Sequence, residues 1–66
     1  MKISYNKLWK LLIDQKLNKQ ALRKLTGLSA ATIAKLGKGE NVNTDILIRI
    51  CEALKCDLFD IMELEQ

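Results

Sequence analysis

The chain contains no histidine and no proline, two cysteines, and one each of tryptophan, tyrosine and phenylalanine. Each scarcity closes a class of function. Without histidine there is no side chain whose ordinary pKa places a general base near neutrality, and the commonest metal ligand is missing. Cys51 and Cys56 lie five residues apart, outside the close-paired spacings of zinc sites, and two thiolates cannot complete a four-coordinate shell. No metal, no cofactor and no disulfide is therefore expected. Cys51 falls on the apolar face of a predicted helix and Cys56 just beyond it, as small buried hydrophobes in a reduced, cytosolic setting. The segment Gly37-Lys38-Gly39 lacks the spacing and the following Ser or Thr of a nucleotide-binding loop. The late acidic residues show no paired-carboxylate arrangement, and the chain is not expected to be an enzyme.

Long apolar runs are also missing. No window approaches the roughly 18 uninterrupted apolar residues of a membrane span, and no early apolar stretch precedes a small-residue cleavage site. The expectation is a soluble, unexported, cytoplasmic protein. Repeats, linkers and low-complexity segments are likewise lacking, which leaves residues 1–66 as a single domain. Sixty-six residues lie near the lower limit for a self-sufficient core, so self-association is a reasonable source of additional burial.

Acid is scarce in one half only. Residues 1–39 hold nine Lys or Arg against the single acid Asp14, a net charge of +8, whereas residues 40–66 hold two basic against seven acidic residues, a net charge of −5. One half attracts phosphate and the other repels it. Within the basic half, NKQALRKLTGLSAATIAKLGKG, Asn18 to Gly39, reads as two short helices joined by a tight turn. Leu22, Leu28, Ile33 and Leu36 supply a shared core, and Gly27 sits where the chain must turn, at a positive φ. Lys19, Arg23, Lys24, Lys35 and Lys38 clothe it without an acid, which suits a reader of duplex DNA.

The flanks complete an all-α reading with five helices. Ser4 is the candidate N-cap for a first helix from about Tyr5 to Gln15, in which Tyr5, Leu8, Trp9, Leu12 and Ile13 recur at three- and four-residue intervals. Asn18 caps a second, about Lys19 to Thr26, with Leu22 and Leu25 inward. Ser29 caps a third, about Ala30 to Leu36, and Asn43 a fourth that runs to about Leu54 behind a loop from Gly37. Leu47, Ile50, Cys51 and Leu54 face inward on the fourth. Asp57 caps a last short helix bearing Leu58, Phe59, Ile61 and Met62. Its apolar residues on several sides, together with Ile48, suggest a surface covered by another chain.

The whole pattern resembles the lambda-repressor-like, Cro-type helix-turn-helix family, also called the xenobiotic-response-element family. The residues that carry the resemblance are LNKQALRKLTGLSAATIAKLGKGENV, Leu17 to Val42, then ILIRICEAL and CDLFDIM, in the family's order. The resemblance implies a compact five-helix domain and a transcriptional regulator that binds operator DNA, usually as a homodimer, with its third helix in the major groove. It implies base contacts from Ala30, Ala31, Thr32 and Lys35. Where phage repressors present glutamine for adenine, this chain has two alanines, whose methyl groups reach only thymine methyls. Specificity then shifts to Thr32, Lys35 and the shape of the duplex. Phosphate contacts are implied for Lys19, Gln20, Arg23, Lys38 and Asn43. Lys19 replaces a frequent glutamine and Arg23 a frequent small residue. Ile48, Leu58, Phe59 and Met62 form the dimer or partner surface. The competing reading is an antitoxin or a protein-interaction adaptor that uses this apolar surface on a different protein.

Overall fold

The computed structural model describes all residues, Met1–Gln66. Four α-helices follow a first short strand: β1 (Lys2–Ser4), α1 (Asn6–Asp14), α2 (Lys19–Thr26), α3 (Ala30–Gly37) and α4 (Thr44–Leu54). A three-residue 3-10 turn, Leu58–Asp60, and strand β2 (Glu63–Glu65) close the chain. The fold is mostly helical, as the apolar periodicity implied, but the fifth helix is only that single turn. Asp57 does cap it, through a reciprocal capping box with Asp60, yet Ile61 and Met62 lie beyond it. The closing segment then pairs with β1 in antiparallel register, Lys2↔Glu65, Ile3↔Leu64 and Ser4↔Glu63.

The helix-turn-helix forms where local chemistry dictates it. Asn18 accepts the Ala21 N–H at 2.8 Å and Ser29 accepts that of Thr32 at 3.2 Å, so each helix has one orphan donor satisfied at its start. Gly27 has φ +72°, and its N–H returns to the Arg23 carbonyl at 2.9 Å, ending α2 in the left-handed conformation that glycine adopts at least cost. Beside it Thr26 is buried. Its hydroxyl donates to the Leu22 carbonyl at 2.7 Å and accepts the Leu28 N–H at 3.3 Å, which sews the turn to the helix before it.

One side chain from each element meets in the core: Leu8 of α1, Leu22 of α2, Leu36 of α3, Ile50 of α4 and Ile61 of the closing segment, all fully buried. Burial of such a side chain contributes about 1.5–3 kcal/mol relative to exposure. α2 packs on both α3 and α4, and the 3-10 turn rests against α1 and α4. Buried Tyr5 donates its hydroxyl to the Glu40 carbonyl at 3.1 Å, fixing the loop after α3 to the start of α1.

Three local expectations are corrected. Ser4 is not the cap of α1; it lies in β1, and the cap position falls on Tyr5, although Ser4 Oγ accepts the Asn6 N–H at 3.3 Å. Ile13 is 73% exposed and Leu25 is 54% exposed, because each sits on the flank of its apolar stripe where no neighbouring element reaches. Asn43 occupies the cap position of α4 but makes no side-chain cap hydrogen bond.

Candidate nucleic-acid interface

The outward face of α3 is set by the turn before it and the core beneath it. Ile33 and Leu36 point inward, which leaves Ala30, Ala31, Ala34 and Lys35 exposed at helical spacing on the opposite side. Three of these four end in methyl groups or bare β-carbons, so the face is small, apolar at its start and cationic further along. Thr32 is only half exposed, and its hydroxyl lies 3.0 Å from Ser29 Oγ in the same cap that begins the helix. Its first commitment is therefore structural, and Ala34 takes the outward place that periodicity assigns. The alanine repeat at 30, 31 and 34 was the available signal for it.

The polar and cationic side chains around the helix-turn-helix fall into two groups. Gln20, Arg23 and Lys24 are exposed and line one shallow depression beside Gly27 and Leu28, at the turn. Lys35 lines another with Met1, Lys2, Gly39, Glu40 and Asn41. Lys38, at the end of α3, shares a third with Lys2, Trp9 and Gly37. Strand β1 thus brings Lys2 beside the far end of α3, a juxtaposition invisible in sequence. Lys19 belongs to this second group and not to Arg23's: its ammonium stands 4.8 Å from the centroid of the Trp9 ring. No acidic residue occurs between Asp14 and Glu40. Asn43 is exposed beyond the loop, with its amide not engaged in capping α4.

A family model for the Cro/C1-type HTH DNA-binding domain matches residues 7–66. The chain belongs to this family. The crystal structure of the transcriptional regulator VanUg, Form II, is similar to this Cro/C1-type domain with a TM-score of 0.93 and 55% identity, over 98% of this chain and 88% of that one. No curated protein matches the chain.

The apolar surface of the Cro/C1-type domain is divided. Ile48, 54% exposed, and half-buried Leu58 line a hollow of about 650 Å³ with Cys51 and Cys56. Phe59, 69% exposed, lies on a different flank with Lys7, Lys10 and Leu11, and Lys7 Nζ donates to its carbonyl at 3.1 Å. Met62 is half-buried against the core and lines neither hollow. The four residues read as one surface are thus two exposed anchors, Ile48 and Phe59, in neighbouring hollows that share Cys56 and Asp60, with Leu58 and Met62 partly packed.

Both cysteines are free and half-buried. They adjoin because Cys56 N–H closes back on the Cys51 carbonyl at 3.0 Å across the end of α4, where Lys55 takes a left-handed conformation. Burial pushes the Cys56 thiol up to about 11, with the neighbouring Cys51 thiol and the Asp60 and Asp57 carboxylates adding to it. Burial also raises Cys51. Near neutrality both stay protonated, the less reactive form. No group of three or more potential ligands is arranged to hold a metal ion, and no helix is long and apolar enough to cross a membrane.

Proposed function

We propose that the chain is a transcriptional regulator that lays α3 in the major groove of an operator and binds as a homodimer. The observation that carries this reading is the exposed face Ala30, Ala31, Ala34 and Lys35, on a helix whose first turn is closed by Ser29, in a fold shared with a regulator at 55% identity. A major groove about 12 Å wide admits one such helix. The alanine methyls meet thymine methyl groups, Lys35 carries the main polar contact, Thr32 reaches a base only with the hydroxyl capacity its contact with Ser29 leaves free, and the shape of the duplex supplies the rest. Lys19, Gln20, Arg23, Lys38 and Asn43 contact backbone phosphates on either side of the groove. The acid-free stretch between Asp14 and Glu40 draws the duplex to α2 and α3, with Glu40 beside Lys35 and Glu65 beside Lys38 marking the edge of the attractive surface. This reading assigns the chain no catalysis and puts it in the cytoplasm, on the nucleoid.

Selection of bound duplexes from a random library, followed by titration of the winner and a scrambled control at two salt concentrations, tests it. The expected result is a palindrome with half-sites about one helical turn apart, held at least roughly a thousandfold tighter than the control. A dimer that neutralises about eight phosphates gives a log-log salt slope near about −7. Weak, sequence-blind binding overturns the reading.

The 69% exposure of Phe59 and 54% exposure of Ile48 favour a second reading, an antitoxin or adaptor that docks a different protein there. Phe59→Ser separates the two. Under the first reading it weakens self-association and hence operator affinity, whereas under the second it removes a heterologous partner and leaves DNA behaviour unchanged.

A further inference from the structure

Lys19 opens α2, so its charge is carried at the positive end of that helix's dipole, an unfavourable place for a free ammonium. Two neighbours from other helices account for its position. The face of half-buried Trp9, from α1, lies 4.8 Å below Nζ and offers the negative side of its quadrupole. Gly37, the last residue of α3, leaves open the space on another side: a Cβ built there would stand 3.3 Å from Nζ. The negative end of the α3 dipole lies at the same point. Gly37 has no positive φ, so what a side chain there would crowd is the Lys19 ammonium and not its own backbone.

We propose that Trp9 and Gly37 are positioning residues that seat the Lys19 ammonium between α1, α2 and α3 so that it is presented to a DNA backbone phosphate. The attraction of a ring face uses the charge and leaves ammonium N–H donors for phosphate oxygens. The seat also limits the freedom that a lysine otherwise loses on binding. The proposal rests on the reading of the chain as a binder of duplex DNA and deepens it, because it names two residues that act through the phosphate contact without touching the duplex.

The test is a double-mutant cycle on the full chain with the selected duplex, read by fluorescence anisotropy, with circular dichroism melts to check the fold. Lys19→Ala is expected to weaken binding and to lower the salt slope by about one per protomer. Trp9→Leu weakens binding about two- to fivefold, the scale of one cation–π contact, and Trp9→Phe recovers most of that loss. In the Lys19→Ala background Trp9→Leu adds nothing. Gly37→Ala puts a better helix former at the end of α3, displaces the ammonium from its seat, weakens binding about twofold and shifts the emission of the chain's single tryptophan. Equal losses from Trp9→Leu in both backgrounds would show a packing role only and overturn the proposal, as would wild-type affinity in both Trp9→Leu and Gly37→Ala. If Trp9→Leu melts below the assay temperature, Gly37→Ala decides alone, and unchanged affinity overturns the seat. Failure of the wild-type chain to bind any duplex removes the functional reading and the proposal together. Wild-type binding with no coupling in the cycle removes the proposal alone.

Discussion

α2 and α3 each begin on a side chain that closes their own first turn, Asn18 onto Ala21 and Ser29 onto Thr32, whereas α1 and α4 begin without a side-chain cap. The two capped helices are the shorter ones, eight residues each against nine and eleven. Helices of that length are marginal on their own, and local closure offsets part of their nucleation cost. The longer pair instead takes its boundaries from tertiary contacts: Tyr5 is held by Glu40 across the molecule, and α4 by Leu47, Ile50 and Leu54 in the core. The half that carries the candidate interface is therefore specified locally, and the half that supports it is specified by packing. Substitutions that leave the core intact can then remodel the reading face without moving its scaffold.

The largest effect expected from breaking this contrast is in the shared core. Ile50→Ala removes a fully buried side chain of the supporting half and should cost about 2–5 kcal/mol, enough to leave a domain of this size largely unfolded in a thermal melt. Lys35→Glu comes next and acts on binding alone: the melt stays within a few degrees of wild type while duplex affinity falls at least about tenfold at low salt, because one charge per protomer changes sign on the reading face. The caps test the comparison directly. Asn18→Ala and Ser29→Ala should each cost about 1 kcal/mol in urea titrations, and Asn43→Ala less than about 0.5, since its side chain closes no turn. The smallest change is a gain. Lys55 sits at φ +54° at the end of α4, and Lys55→Gly should raise stability by about 0.5–1 kcal/mol by relieving that strain, visible as a shift in the urea midpoint.

The same division decides what could be read from the residues. α2 is predicted with its observed limits and α3 within one residue, because Asn18, Gly27 and Ser29 carry their structural roles in their own chemistry. Ser4 has the same cap chemistry and was drawn elsewhere by a strand whose partner lies at Glu63, more than fifty residues away. Three-residue strands offer too few alternations to register as a pattern. Ile13 and Leu25 satisfy helical periodicity but lie at the edge of their stripes, and only the positions of neighbouring elements decide which edge is covered. In the interface, the exposure of Ala30, Ala31 and Lys35 follows from the inward placement of Ile33 and Leu36 and was legible. The proximity of Lys19 to Trp9 was not, since it depends on how α1 crosses α2.

The terminal strands carry a consequence for the order in which the molecule assembles and comes apart. Their pairing joins Lys2 to Glu65 and so closes a ring containing nearly the whole chain, in exchange for three residue pairs. Ring closure costs entropy that grows with loop length, whereas the turn between α2 and α3 closes over a few residues. The clasp is thus the last part to form and the first to open, and the amides of Ile3 and Leu64 should exchange with solvent well ahead of those in α2 and α3. Because Lys2 of this clasp lies beside Lys35 and Lys38, opening it would loosen one cation at the edge of the candidate interface while α2 and α3 stay formed.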